Sequence, residues 1–313
     1  MEKPRCVFLS AVVPAFDELR MISQYTKGVL YALLGGACLS TSGVLMRNLE
    51  LADGWDVLFY RSMAFLLAIS LYIWYRYRRG MFRAIYVVGR KGVLAAVLLG
   101  TASVCYIFAI LNTTVANVVF IIGSSPLVTA LVAWIFIGER VRKSGLAAML
   151  LAATGIGLMV VDGMTGGGMP GILLAMAMVT LFAFYLLILR SNRHIDQVPT
   201  TGLSGAVALA IAMMMVQQFE ISLHDLIICL VLGVFQFGLG FLFLTLSARH
   251  IPAAEVALFA LSESVLAPLW VWIGVNEVPS QFTIYGSALV FLSVIGYCVV
   301  SIRNRNKLEL DSS

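Results

Sequence analysis

Charge is scarce in this chain. Asp, Glu, Lys and Arg make up 12% of its 313 residues, about half the share found in a soluble domain. Cysteine is also rare: Cys6, Cys38, Cys105, Cys229 and Cys298 are scattered, which excludes a disulfide framework or a thiolate metal cluster. The histidines, His194, His224 and His250, fall at loops or helix ends and form no metal set. No phosphate-binding GxxxxGK[ST] loop occurs, and no polar stretch is long enough for a soluble ATP-hydrolysing domain. No cofactor or metal is therefore expected. The net charge of +5 has no soluble domain to carry it, which argues against a nucleic-acid partner.

Apolar residues take the place of charge, at 61% of the chain and a mean hydropathy of +0.97. Ten segments have the length of a membrane span: 28–46, 55–75, 92–111, 115–138, 144–161, 171–189, 201–217, 225–247, 253–275 and 281–302. Lipid offers the backbone no hydrogen bonds, so apolar spans of about 20 residues are helices. The alternation of a membrane barrel is absent. The expected fold is all-α and integral to the membrane.

Lys and Arg set the orientation. With the N-terminus inside, the inner segments hold Arg76, Arg78, Arg79, Arg83, Arg90, Lys91, Arg140, Arg142, Lys143, Arg190, Arg193 and Arg249, plus both tails. The outer loops hold only Arg47, and Arg61 is the one basic residue within a span. Both termini are expected in the cytoplasm, with the protein multi-pass in the inner (plasma) membrane. The tail 1–26 carries a short apolar run, Cys6 to Phe16, broken by Ser10 and Pro14. It reads as a cytoplasmic tail, or as sequence preceding a true start at Met21, rather than as a signal peptide.

The chain repeats itself. A shift of 138 residues aligns Ala116 with Ala254, Ser124 with Ser262, Trp134 with Trp272 and Glu139 with Glu277. A shift of 143 aligns Gly28 with Gly171, and one of 133 aligns Leu99–Gly100 with Leu232–Gly233. The matches keep their order along both halves. The expected organisation is a tail 1–26, a five-helix repeat 27–162, a second 163–302 and a tail 303–313. An odd number of spans per copy turns the second copy upside down. Inverted halves of this kind are a transporter architecture, with the site near the midplane between them.

These features resemble the EamA-type family of the drug/metabolite transporter superfamily. The stretches that carry the resemblance are GGACLSTSGVLMRNLE, GWDVLFYRSMAF, ANVVFIIGSSPLVTALVAWIFIGERV and ESVLAPLWVWIGVNEVPS, within residues 27 to 302. Asn276 departs from the pattern, where the first copy has Gly138 and a glycine is typical. The resemblance implies ten transmembrane helices in two inverted five-helix repeats, and transport of small organic solutes in either direction.

Few polar residues can do work inside the spans. Glu263 lies about ten residues into its segment, near 15 Å of depth. An ionised group there costs roughly 3 kcal/mol unless it is paired, hydrated or used. Helical spacing puts Val256, Phe259, Ala267 and Trp270 on the same side, so Phe259 and Trp270 are expected to line a cavity with it. A structural acid bonded to Ser262 or Ser264 is the alternative. Arg61 is a candidate ligand for a substrate carboxylate, an ion-pair partner of Glu263, or a side chain snorkelling to headgroups. Gln236, in FQFGLG, is expected in the cavity. Asn117 and Ser124 share a face of span 4 and are candidate lining residues, though Asn117 also suits a helix cap. Small residues at Gly36, Ser40 and Gly43 suit close helix packing. Glu139 and Glu277 are expected as packing and loop anchors.

The function expected from these features is secondary transport of a small organic metabolite by alternating access: an amino acid or derivative, an amine, or a vitamin-like heterocycle. Protons are a candidate coupling ion, and a homodimer is one arrangement open to the chain. A vitamin uptake carrier of the riboflavin type is the alternative to a metabolite exporter. An integral membrane enzyme would need clustered nucleophiles, bases or metal ligands near a surface. A channel would need rings of polar residues. Neither pattern occurs.

Overall fold

The structure is a computed structural model and describes residues 24–50, 53–78, 81–113, 115–160, 168–216, 219, 221–275 and 280–310. The expectations for the tail 1–23, Asn276 and Glu277 lie outside the described residues. Among the described residues there is no strand. Nine helices among the described residues are long and apolar enough to cross a membrane. They are α1 (Gln24–Arg47), α2 (Gly54–Tyr77), α3 (Tyr86–Asn112), α4 (Asn117–Ile137), α6 (Met169–Ser191), α7 (Val198–Met215), α8 (Leu223–Ser247), α9 (Ala253–Gly274) and α10 (Gln281–Ser301). Between α4 and α6 lies a further apolar helix, α5 (Lys143–Val160). Local chemistry sets several boundaries. The Asp53 carboxylate accepts from Gly54 N before α2, and Ser222 Oγ accepts from Asp225 N before α8. Gly138 ends α4 at φ 66°, a conformation that costs glycine nothing.

The described chain starts and ends on one face: the Tyr25 hydroxyl lies 2.8 Å from Ser301 Oγ. That face also gathers Asp196, which pairs with Arg76 at 3.1 Å and Arg249 at 3.7 Å, and Glu139, paired with Arg190 at 3.3 Å. Glu139 thus anchors a loop, as expected. On the opposite face Glu50 N donates to Asp225, and Gly168 N to the Asn112 carbonyl.

The repeat is visible in how equivalent residues pack. A Cβ on Gly100 would lie 2.8 Å from the Ser204 carbonyl of α7, and one on Gly233 would collide with the Arg61 carbonyl of α2. Each glycine lets the third helix of one half meet the second helix of the other. Gly28 closes on Ile251 in the α8–α9 turn, and Gly171 on Thr113 in the α3–α4 turn. Gly28 is on the face of the termini and Gly171 on the opposite face, so the halves are inverted. Helix pairs α2–α7, α4–α9 and α5–α10 join the halves across the pseudo-two-fold. At the last of these, Gly155 and Gly286 bring two backbones together.

Among the described residues three helices break near mid-depth. α1 is interrupted at Ser40–Thr41. In α4, Ser124 N bonds Ile121 O and Leu127 N bonds Ser124 O; in α9, Leu261 N bonds Leu258 O and Ser264 N bonds Leu261 O. These i→i+3 bonds tighten the helix for one turn and rotate everything beyond it. Pro126 sits in the first turn after the α4 break, where it removes no needed donor. Pro268 is inside the second half of α9, well past that helix's break. In α8, Leu232–Leu239 is a π-helix, a form concentrated at functional sites.

Candidate functional site

The breaks and the π-helix surround a cavity of about 100 Å³. Its walls come from both halves: α1 to α4 from the first, α6, α8 and α9 from the second. Most of the lining is apolar, with Phe182, Phe237 and Phe241 on one side and Leu39, Leu99 and Leu261 elsewhere. Against this background stand Arg61, Ser103, Tyr106, Ser125, Gln236, Glu263 and Ser264.

Arg61 is 2% exposed. It does not snorkel to headgroups; its guanidinium donates from Nη2 to Ser103 Oγ. The cation also sits 4.7 Å from the centre of the Phe237 ring, a contact of about 2 kcal/mol where water is excluded. Its Nε is buried with no hydrogen-bond partner among the described residues. Gly233 matters here, because any side chain at that position would push α8 off the Arg61 backbone. The π-helix turns Gln236 into the same space, and Gln236 Oε1 is likewise buried and unsatisfied.

Glu263 is the second residue of the half-helix Ser262–Val275, directly after the α9 break. The dipole of that half-helix favours its charge. Its carboxylate has no hydrogen-bonding or ion-pair partner among the described residues, and no ion pair joins it to Arg61. The Tyr106 hydroxyl, which reaches Ser42 Oγ at 3.4 Å, lines the same cavity.

The structure therefore brings together Arg61, Gln236 and Glu263 of the expected set. The other four lie elsewhere. Phe259 is fully buried and packs on Tyr297 with ring centres 6.1 Å apart. Trp270 donates from Nε1 to Ser40 Oγ at 2.8 Å, outside the cavity lining. Both positions follow from the Leu261 break, because an unbroken spacing overlooks the rotation it introduces. Asn117 Nδ2 donates to Thr113 Oγ1 at 3.0 Å, and Ser124 Oγ to the Ile121 carbonyl at 2.6 Å. Their neighbours Ile122 and Ser125 line the cavity instead. Ser103, Tyr106 and Phe237 were not singled out from the sequence; Phe237 alone had a signal, as Gln236's neighbour in a glycine-flanked run.

A helical membrane protein whose inverted halves enclose a charged cavity at mid-depth has the build of a solute transporter. The family model for the EamA-like transporter family matches residues 26–161 and again 169–299, and the chain belongs to that family. It is 25% identical over 279 residues to the pseudopaline exporter CntI of Pseudomonas aeruginosa, covering 86% of this chain and 94% of that protein. It is 23% identical over 295 residues to human solute carrier family 35 member G1, covering 87% and 79%. A solved crystal structure shares the fold at a TM-score of 0.72 and 17% identity, over 89% of this chain and 98% of that one. The family and these relatives make the chain a multi-pass membrane transporter of small solutes.

Proposed function

We propose that the chain carries a small zwitterionic organic solute, an amino acid or derivative, by gradient-driven alternating access. One observation carries this: an unpaired Arg61 and an unpaired Glu263 face one cavity built from both halves. Burying opposite charges without pairing them is costly. A solute that brings a carboxylate to Arg61 and an ammonium to Glu263 repays both costs at once. Gln236 Oε1 offers a further acceptor for a solute N–H or O–H. The apolar walls accept the remainder of the solute, and their phenylalanines also favour the second reading, a flat vitamin-like heterocycle. A carboxylate left without a partner when the site is empty is a place for a coupling ion, and we propose the proton for that role.

The contact of Tyr25 with Ser301 requires an even number of crossings, which supports α5 as a tenth span and the division into repeats 27–162 and 163–302 with tails at 1–26 and 303–313. The termini face gathers the basic residues, so we place it in the cytoplasm and the protein in the inner membrane. The exporter among its relatives supports export as the direction. A thermal-shift screen of purified protein tests the solute reading. Amino acids should raise the melting temperature more than their decarboxylated amines or deaminated acids. Equal shifts from all three sets would overturn it.

A further inference from the structure

The cavity has unequal ends. On the termini face, the first half of α9, Ala253–Ala260, packs against the second half of α4, Ser125–Ile137, and also against α6. On the opposite face, the pseudo-symmetric pair is Val115–Gly123 and Ser262–Val275. Among the described residues those two segments have no comparable packing; Val115–Gly123 leans on α5 and α6, and Ser262–Val275 on α10 and the end of α1. Burial follows the same division. Every residue from Ala253 to Phe259 is buried, while Ser264 is the only buried one among those described from Ser262 to Gly274. The molecule is sealed at the termini face and parted at the other.

The seal is polar as well as apolar. Glu255, in the first turn of α9, is 7% exposed. Its Oε1 accepts from the Tyr297 hydroxyl of α10 at 2.9 Å, and its Oε2 from the Tyr25 hydroxyl of α1 at 2.9 Å. Tyr25 has one hydroxyl proton, so when it donates to Glu255, Ser301 Oγ at 2.8 Å donates to it. Alongside, Ser247 at the end of α8 donates to the Gly28 carbonyl of α1 at 2.7 Å. The two carboxylate oxygens thus hold one helix each: Oε2 holds α1 of the first half and Oε1 holds α10 of the second.

We infer that Glu255, with Tyr25, Tyr297 and Ser301, forms the latch that shuts the termini-face gate, and that releasing it opens the cavity to that side. The inference rests on the transporter reading, and it supplies the gate that reading requires. Losing one buried hydrogen bond of this kind should raise the gate-open population about tenfold.

The test is side-specific labelling of one cavity cysteine. In a chain with its native cysteines replaced, Ala102→Cys places a thiol on the α3 wall of the cavity, on a helix that carries no latch residue. The protein is held in membrane vesicles without solute, their sidedness fixed by protease access to a tag after Ser313. A membrane-impermeant maleimide should label Ala102→Cys from the face opposite the termini and not from the termini face. Adding Tyr25→Phe and Tyr297→Phe should raise labelling from the termini face at least tenfold and lower it from the other. Labelling of the unlatched protein at the parent rates overturns the inference, as does termini-face labelling of the parent itself. If the double variant fails to assemble, Ser301→Ala should show the same change at about threefold, and an unchanged rate there also overturns it. Because no solute is present, failure of the zwitterion reading leaves these outcomes intact. Amino-acid thermal shifts with an unmoved gate would fault the latch alone.

Discussion

Helix α9 carries two carboxylates on either side of its break, and their surroundings are opposite. Glu255 lies in a half-helix buried on all sides, with a tyrosine hydroxyl on each oxygen. Glu263 begins the half-helix that faces open space, and no donor within the described protein meets it. A satisfied buried carboxylate fixes structure, because removing either partner leaves a desolvated group. An unsatisfied one keeps its binding capacity for something that comes and goes. The two residue types are identical; the difference is made by the Leu261 turn and by which helices close around each half.

The largest effect that would sharpen this contrast is expected at Glu263. Glu263→Gln keeps the size and polarity of the side chain and removes its charge and titration. Gradient-driven accumulation in proteoliposomes should be abolished while yield and melting temperature stay near the parent's. Solute exchange that survives would assign Glu263 to proton coupling, and loss of binding would assign it to the solute's cation. Parent-level accumulation with unchanged pH dependence would make Glu263 as structural as Glu255 and dissolve the comparison.

The boundary between the two halves is the next place to press. Gly36 of α1 packs into the α9 break: an added Cβ would sit 2.9 Å from the Ala260 carbonyl and 3.3 Å from Glu263 N, and would collide with Ser262 Oγ. Gly36→Ala should cost about 1–3 kcal/mol of stability through overpacking. Thermal unfolding in detergent measures this directly, with Gly296→Ala as the control, since open space surrounds that glycine. Equal melting temperatures for the two variants would show that the break yields to its neighbour and does not fix Glu263.

How far these features were legible in the sequence depends on the length scale of the physics involved. Spans and repeat are long-range patterns of apolar residues; nine of the ten expected spans reappear among the described residues with edges shifted by a few residues. The aligned glycines Gly100 and Gly233 do the same job in each half. Arg61, Gln236 and Glu263 were legible because a polar group in an apolar span needs a reason. Phe259 and Trp270 were misplaced because one tightened turn at Leu261 changes the helical phase, and no residue type there announces it. Glu255 carries no signal in the sequence: it stands at a helix start, where an acid is ordinary, and its partners Tyr25 and Tyr297 are remote along the chain.

A smaller effect is expected from the other charge in the cavity. Lysine at position 61 would keep the charge, but lose the planar fork and the stacking on Phe237. Arg61→Lys should weaken binding of carboxylate-bearing solutes about tenfold and leave their decarboxylated amines unaffected. Isothermal titration with matched solutes reads the difference. If both classes weaken equally, Arg61 shapes the cavity and does not hold the carboxylate, and Glu263 stands alone as the ligand.

The smallest effect lies at the foot of the sealed half. His250, in the turn before α9, packs beside Gly28 and 6.1 Å from the Tyr31 ring. Burial, with Arg249 and Lys27 nearby, holds its imidazole below the ordinary range. In the unfolded chain a histidine takes up its proton near pH 6.5. Between that pH and the lower folded value the unfolded state binds more protons, so stability must fall as pH falls. Above pH 6.5 both states are neutral there and the residue contributes no pH dependence. Below the folded value both are protonated and the loss levels off. Melting temperature measured from pH 7.5 to 5 should therefore decline slightly more steeply for the parent than for His250→Gln. The partial exposure of the ring keeps this difference small. A parent curve as flat as the variant's would show that the turn leaves His250 free to protonate, and that the seal at this face owes its tightness to Glu255 and its tyrosines and not to the α8–α9 turn.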